Sequence, residues 1–167
     1  MSPRVQPPPG VSPSLNENLG WLLSRASLRV NTQLTAALAG LGMSPRGHSV
    51  LLAAMSGDHT QTELARTVGL DKTTMVVTLD ELEAAGLAER RPASHDRRAR
   101  VIVVTEDGRR KAREADAIHD RIRAEVLEVL PAADRKVFVD ALTLLVSDRL
   151  AEPVEYTQPA RRGVPPP

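Results

Sequence analysis

The segment spanning residues 60–85 constrains the fold most, because it predicts two short helices joined by a glycine turn. Thr60 and Glu63 have the spacing of a capping box, in which each side chain accepts a hydrogen bond from a free amide at a helix start. Gly69 is typical of a helix end, and Asp71 can cap a second helix. Apolar residues recur at helical spacing in both parts: Leu64, Ala65 and Val68 in the first, and Met75, Leu79 and Leu82 in the second. The segment therefore predicts a helix-turn-helix.

The residues after this pair predict a β-hairpin with a basic tip. The run Val101–Val104 is β-branched throughout and favours an extended chain, as does the segment Leu87–Arg91. The intervening Pro92–Asp96 is short enough to turn a hairpin, and Arg97 and Arg98 follow at its tip. A hairpin in this position is the wing of a winged helix-turn-helix, whose second helix can enter the major groove of DNA.

Charge is distributed unevenly along a chain that is nearly neutral, with 22 Lys and Arg against 21 Asp and Glu. Residues 86–113 contain nine basic and four acidic side chains, whereas residues 114–152 contain five basic and nine acidic ones. A local basic patch suits phosphate contact at one place without attracting polyanions everywhere. The sequence thus indicates DNA binding centred on the wing.

Four arginines are the candidate DNA contacts of the wing: Arg91, Arg97, Arg98 and Arg100. A guanidinium can fork onto a phosphate or reach into the minor groove. Asp96 has the wrong charge for DNA, so we expect it to brace Arg97 or Arg98. The alternative is that these arginines form an ordinary solvated surface run.

The order and spacing of these motifs resemble the MarR family of bacterial transcription regulators. The resemblance rests on GLAERRPASHDRRARVIVVTEDG following ELARTVGLDKTTMVVTLDELEAAGL, with LGMSPRGHSVLLAAM upstream, and covers roughly Leu15 to Leu150. It includes the Asp-Arg-Arg of the wing and the Thr-x-x-Gly that opens the next helix. The resemblance implies a homodimeric winged-helix protein that binds near-palindromic operators, usually as a repressor released by a small ligand or by oxidation.

The flanking segments predict helices that suit a dimer. A long helix is expected from about Leu15 to Leu41, and further helices after Ser44-Pro45, after Thr105 and after Leu130-Pro131. Their apolar surface exceeds what a small winged-helix lobe can cover, which favours a second copy, although burial within one chain is the alternative. The candidate interface residues are Leu19, Leu23, Leu142 and Leu145.

The expected fold is therefore mainly α with a small β-hairpin wing. We expect a single MarR-like domain over residues 15–152, with the winged helix-turn-helix at 44–105 and dimerisation helices at 15–41 and 106–150. Residues 1–14 and 153–167 are proline-rich and offer little to bury, so we expect disordered tails.

The second helix departs from the common family pattern. A Thr-Arg pair often follows the position of Met75 in the family, but Val76 and Val77 stand there, and Glu81 occupies a second position that is frequently basic. The remaining groove-facing candidates are Lys72, Thr73, Thr74, Val77 and Thr78, with Gln61 and Thr62 at the start of the first helix. We therefore expect the second helix to make fewer hydrogen bonds to base edges than is usual. Contacts with A·T pairs and contacts from the wing then contribute more to binding.

The balance of two basic and five acidic residues over residues 60–85 argues against tight DNA binding by the helices alone. It places more weight on the wing.

The effector is poorly defined by sequence. The absence of cysteine excludes a thiol-oxidation switch, and the four histidines are too scattered to predict a metal site. A pocket for a small aromatic carboxylate near Trp21, Arg25, Arg46 and His48 is one option, although plain core and surface roles suit these residues as well. No cofactor is predicted.

The leading functional hypothesis is a dimeric, sequence-specific DNA-binding regulator, with a repressor released by a ligand as the family's usual form. The alternative is an architectural factor or constitutive activator without ligand control, which would share all of these motifs. An enzyme is disfavoured because no phosphate loop, nucleophile elbow or metal-ligand spacing organises the polar residues. Without a signal peptide or membrane-spanning run, a DNA-binding role places the chain in the cytoplasm.

Overall fold

The computed structural model describes residues 12–93 and 100–151, so the predicted tails lie largely outside it and the tip of the predicted wing entirely so. The helices are α1 (Pro13–Asn16), α2 (Leu19–Leu38), α3 (Pro45–Ala54), α4 (Gln61–Val68), α5 (Lys72–Ala84), α6 (Glu106–Leu127) and α7 (Ala132–Ser147). Strands β1 (Ala88–Pro92) and β2 (Arg100–Val104) form an antiparallel pair. The predicted class, mainly helical with one hairpin after a helix-turn-helix, is confirmed.

The long first helix was predicted wrongly in one respect, because the chain breaks near its start. Asn18 has extended backbone angles and its Oδ1 accepts a hydrogen bond of 2.8 Å from the Trp21 amide, so it caps α2. The chain before it forms the separate short α1. At the other end, a 3-10 turn over Ala39–Leu41 continues α2 and closes at Gly42, whose φ is 64°.

The described part of the chain divides into two compact units, at residues 12–126 and 127–151. The core of the first unit combines the second half of α2 with α3, α4, α5, the hairpin and α6 as far as Ile122. Its largest fully buried side chains are Leu38, Val50, Leu51, Leu64, Met75, Thr78, Leu79 and Leu87. The apolar positions that predicted α4 and α5 therefore point into this core.

The Thr-x-x-Gly at the start of α6 holds the base of the hairpin. The Thr105 hydroxyl donates to the Gly86 carbonyl at 2.8 Å and accepts from the Gly108 amide at 2.9 Å. The Thr105 amide donates to the Leu87 carbonyl at 3.1 Å. Gly108 packs so closely on this carbonyl that an added Cβ would overlap its oxygen. A glycine is required here by lack of space.

The second unit contains α7, which exposes most of its apolar side chains. The Arg135 guanidinium donates to the carbonyls of Leu130 and Glu128 at 3.1 and 3.2 Å, which fixes the turn before the helix. α7 contains no buried residue, and Val137, Phe138, Leu144 and Val146 are all at least half exposed. None of the described helices has the length and apolar character needed to cross a membrane.

The close approach at Gly108 predicts a loss of stability on substitution. We expect Gly108→Ala to lower the free energy of unfolding by about 2 kcal/mol or more, because the new methyl group must displace the Leu87 carbonyl. Gly40→Ala is the matched control, since its added Cβ meets no atom within 4 Å, and its effect should stay within about 0.5 kcal/mol. Urea denaturation of both variants measures the difference, and equal stabilities would contradict the packing argument.

Candidate nucleic-acid interface

The start of α5 presents polar and cationic groups beside the start of α4. Lys72 and Thr73 are exposed in the first turn of α5, and Thr62 is exposed in the first turn of α4. A cleft of about 130 Å³ separates the two helix starts and is lined by Gln61, Thr62, Ala65, Lys72 and Met75. The structure therefore brings the predicted contacts of α4 and α5 together. Amides at helix starts also favour a nearby phosphate.

Along α5, the exposed side continues through Val77 but excludes Thr78. Val77 is 45 % exposed, whereas Val76 is half-buried. Thr78 is 0 % exposed, and its hydroxyl donates to the Thr74 carbonyl at 2.8 Å within the helix. The prediction that Thr78 faces a groove is therefore wrong. It lies one position from Val77 and so turns toward the core.

Thr74 is half-buried and already engaged. Its amide and hydroxyl donate to the two carboxylate oxygens of Asp71, at 2.9 and 2.6 Å. These bonds form the N-cap of α5, and they hold the pKa of the Asp71 carboxyl below its ordinary value, the Thr74 hydroxyl contributing most. The hydroxyl oxygen keeps acceptor capacity only, so a donor role for Thr74 toward phosphate requires breaking the bond from its hydroxyl to Asp71.

Every acidic side chain of the two helices has a partner inside the protein. Glu63 closes the predicted capping box: its carboxylate accepts from the Thr60 amide at 2.7 Å, the bond that contributes most to lowering its pKa. Asp71 caps α5, and Glu81 pairs with Arg46 of α3 at 3.2 Å. The last two, Asp80 and Glu83, both bind the guanidinium of Arg90 in β1. Three of the five carboxylates are therefore paired with arginines of other elements, and the other two, Glu63 and Asp71, are held as helix caps.

The described wing arginines occupy different environments. Arg91 is exposed and donates to both carboxylate oxygens of Glu89, at 2.8 and 3.0 Å, within its own strand. Arg100 is exposed at the start of β2, opposite Pro92. Arg97, Arg98 and the bracing residue Asp96 fall outside the described residues. Arg90 was counted in the basic patch but was given no role, because sequence spacing does not reveal that it faces α5.

A separate cavity of about 490 Å³ lies between α2, α3, the α4–α5 turn and α6. Its wall combines polar and apolar groups: Ser27, Asn31, Leu34, Pro45, Arg46, Ser49, Val68, Gly69, Leu70 and His119. Of the four predicted pocket residues, Arg46 lines this cavity. Trp21 and Arg25 lie nearer the start of α2, where the Arg25 guanidinium carbon is 5.4 Å from the indole centroid. The four are therefore not gathered around one cavity.

His48, the fourth predicted pocket residue, is buried behind this wall. Its Nε2 is 3.0 Å from the Asp116 carboxylate of α6, and its ring stacks on His119 with centroids 4.4 Å apart. The Nε2 of His119 is buried without a hydrogen-bond partner among the described residues. Burial, followed by the proximity of His48, lowers the pKa of His119, against a smaller opposing effect of Asp116 and Asp120. Within residues 12–93 and 100–151, no group of histidine and carboxylate side chains has the arrangement of a metal site.

The lowered pKa of His119 predicts a stability change with pH. The unfolded chain binds a proton near pH 6.5, whereas the folded chain resists protonation until lower pH, so stability rises with pH across this window and falls on acidification. We expect His119→Gln to flatten the change in unfolding free energy between pH 7.5 and 5.5, measured by urea denaturation. Ser49→Ala alters the same cavity but keeps both histidines, so it should retain the full slope. An unchanged slope in His119→Gln would contradict this assignment.

Comparison with known proteins agrees with this arrangement. Residues 41–99 match the sequence model of the MarR family. A MarR-family transcriptional regulator from Rhodococcus sp. RHA1 is 32 % identical and superposes with a TM-score of 0.73, over 82 % of this chain and 99 % of that protein. The similarity in both sequence and fold therefore extends across nearly the whole of that protein. The chain belongs to the MarR family of transcriptional regulators.

Two further solved structures add ligand states. CouR from Rhodococcus jostii RHA1 bound to p-coumaroyl-CoA is 33 % identical, with a TM-score of 0.70 over 86 % of this chain and 100 % of that one. The transcriptional repressor CouR bound to a 23-mer DNA duplex is 31 % identical, with a TM-score of 0.72 over 80 % and 96 % of the two chains. The resemblance inferred from the wing and helix motifs is confirmed.

Proposed function

We propose that this protein is a homodimeric, sequence-specific DNA-binding repressor, released by a small molecule. One observation carries the DNA-binding part: the start of α5 exposes Lys72, Thr73 and Val77, while every acidic residue of α4 and α5 is paired internally. This leaves a cation, a hydroxyl and a methyl surface to meet a groove. Val77 suits the methyl group of thymine, and Lys72 suits a phosphate.

The wing supplies the second contact in this proposal. Arg91 and Arg100 are exposed on the two strands, and Arg97 and Arg98 belong to the segment between them. Gln61 and Thr62 add backbone and side-chain donors at the start of α4. The solved complex of CouR with a 23-mer duplex supports duplex DNA as the ligand of this lobe.

Two groups of exposed apolar side chains support dimerisation. Near the start of α2, Leu19 is 58 % exposed, and Leu23 one turn later is half-buried. On α7, Leu145 is 38 % exposed and Leu142 is half-buried, whereas Phe138 and Leu144 are at least half exposed. Apolar surface of this extent on packed helices favours a partner, and a second copy also matches a near-palindromic operator.

The ligand-binding part of the proposal uses the cavity beside Arg46 and His119. Arg46 offers a cation and pairs with Glu81 on α5, so an anionic effector, including an aromatic carboxylate, would compete for an arginine that contacts the DNA-reading helix. The solved complex of CouR with p-coumaroyl-CoA supports control by a small molecule. The alternative function, an architectural factor or constitutive activator, differs in one observable: no small molecule would lower its affinity for DNA.

The DNA contacts at α5 lead to a test with two different readouts. The wild-type protein first selects a duplex from a random pool. Lys72→Ala should bind this duplex and unrelated sequences more weakly, and the slope of log affinity against log salt concentration (the salt slope) should fall in magnitude by about 1. Val77→Ala should instead reduce preference at one position, by roughly tenfold or less, with the salt slope unchanged. Fluorescence anisotropy across a salt series measures both.

Lys136→Ala is the matched control for charge, because Lys136 lies on α7 and pairs with Asp140. It should leave affinity and salt slope near those of the wild type. Equal losses in Lys72→Ala and Lys136→Ala would place the DNA elsewhere on the protein.

The proposed interface on α7 leads to a test of oligomeric state. Leu145→Asp should convert the dimer to a monomer, because it places a charge in an apolar interface without disturbing a buried position of the single chain. Val129→Asp is the control, since Val129 is 86 % exposed and precedes α7. Sedimentation equilibrium gives the mass of each variant, and circular dichroism verifies folding. A dimeric Leu145→Asp protein with normal helix content would overturn this interface.

A further inference from the structure

The guanidinium of Arg90 joins the DNA-reading helix to the wing. Its Nη2 donates to Asp80 Oδ1 at 2.8 Å, and its Nη1 donates to Glu83 Oε2. The Arg90 backbone amide adds a third bond, to Glu83 Oε1 at 2.8 Å. Asp80 and Glu83 are three residues apart and therefore lie on the same side of α5. One residue of β1 thus binds two carboxylates that lie about one turn apart on α5.

Arg90 is the outermost attachment of β1 to the helix. Ala88, two residues earlier on the same face of the strand, is buried at the base of the hairpin. Arg91 and Pro92, the next two residues, are exposed. Within β1, Arg90 is therefore the last residue that hydrogen-bonds to α5, although Ala93 just after the strand is buried again.

The other strand is held from a different side. The Ile102 amide donates to the His59 carbonyl at 3.0 Å, and Val101 bridges to Thr60 at the start of α4. Ile102 is paired with Arg90 across the hairpin. Backbone bonds from β2 to the start of α4 and the bonds from Arg90 to α5 therefore meet at one level of the hairpin.

The chemistry of this junction favours arginine specifically. The side chains of Arg90 and Glu83 are 27 % and 31 % exposed, so their pairing is partly shielded from water and salt. A planar guanidinium can donate to two carboxylates at once in fixed directions, whereas an ammonium group is a point charge on a flexible stem.

We propose that Arg90, held by Asp80 and Glu83, is a positioning residue that fixes the spacing between α5 and the wing, and so determines which DNA geometry both can contact together. The inference rests on the proposed DNA-binding function. It assigns Arg90 no contact with DNA. A helix and wing locked at one spacing reject duplexes whose grooves do not match it, because binding such a duplex requires distorting either the protein or the DNA.

Double-mutant cycles on the selected duplex test this role. Arg90→Lys retains the charge but loses the fork, and we expect it to weaken binding about tenfold. Arg100→Ala removes a wing contact, and its effect should shrink in the Arg90→Lys background, because a wing that is no longer positioned contributes less. Lys72→Ala, on α5 itself, should have an additive effect with Arg90→Lys. If Arg90 had a merely structural role, Arg90→Lys would lower thermal stability, but its coupling with Arg100→Ala would equal its coupling with Lys72→Ala.

Arg110→Lys is the matched control, because Arg110 also bridges two carboxylates, Asp107 and Glu114, but does so within α6. It should leave the affinity for DNA unchanged and should be additive with both Arg100→Ala and Lys72→Ala. Asp80→Asn removes the charge of one exposed carboxylate and so weakens one of the two side-chain bonds to Arg90, which provides a milder variant should Arg90→Lys not fold. It should show the same pattern with a smaller loss.

The outcomes separate this proposal from the one on which it rests. If the wild-type protein selects no duplex, the DNA-binding function itself fails before any variant is measured. If the wild type binds selectively and Arg90→Lys is additive with Arg100→Ala, the positioning role is overturned and DNA binding stands. Coupling with Arg100→Ala alone, together with normal behaviour of Arg110→Lys, supports it.

Discussion

The pairing of the acidic residues in α4 and α5 is the constraint on which the proposed DNA interface depends. Carboxylates left free at this surface would repel phosphate, and the sequence places five of them there with only two basic residues. The structure uses two as helix caps, one to bind α3 and two to bind the wing. Each pairing also fixes a helix start or a contact between elements. The same groups that seem adverse to DNA binding therefore build the surface that the proposal assigns to it.

This arrangement links local chemistry to the packing of the whole lobe. Thr105 and Gly108 tie the hairpin base to the end of α5, where the Leu87 carbonyl leaves no space for a side chain. Arg90 attaches the same hairpin to α5 a second time, through Asp80 and Glu83. The wing is thus attached at two levels: at its base by hydrogen bonds and close packing, and at Arg90 by charged hydrogen bonds. Rigid attachment of this kind lowers the entropy lost when helix and wing engage one duplex together.

Local patterns predicted those parts of the structure that local interactions determine. The capping box at Thr60 and Glu63, the cap at Asp71 and the β-branched run of β2 each depend on residues close in sequence, and all three are confirmed. Two predictions failed for different reasons. The cap at Asn18 is local, but the apolar spacing continues through it and conceals the break, whereas the burial of Thr78 depends on how α5 is rotated against the core. Two contacts join different elements: Arg46 with Glu81, and Arg90 with α5. Sequence spacing alone does not show that such residues pair.

Hydrogen–deuterium exchange with and without the selected duplex tests the central claim, that the start of α5 and the hairpin together form the DNA surface. We expect DNA to slow exchange in peptides covering residues 61–78 and 88–104, and to leave exchange in α7 unchanged. Slowing in both regions at one stoichiometric concentration of duplex would support joint contact by helix and wing. Slowing confined to α7 or α2, with the α5 and hairpin peptides unchanged in a selectively bound complex, would contradict the account.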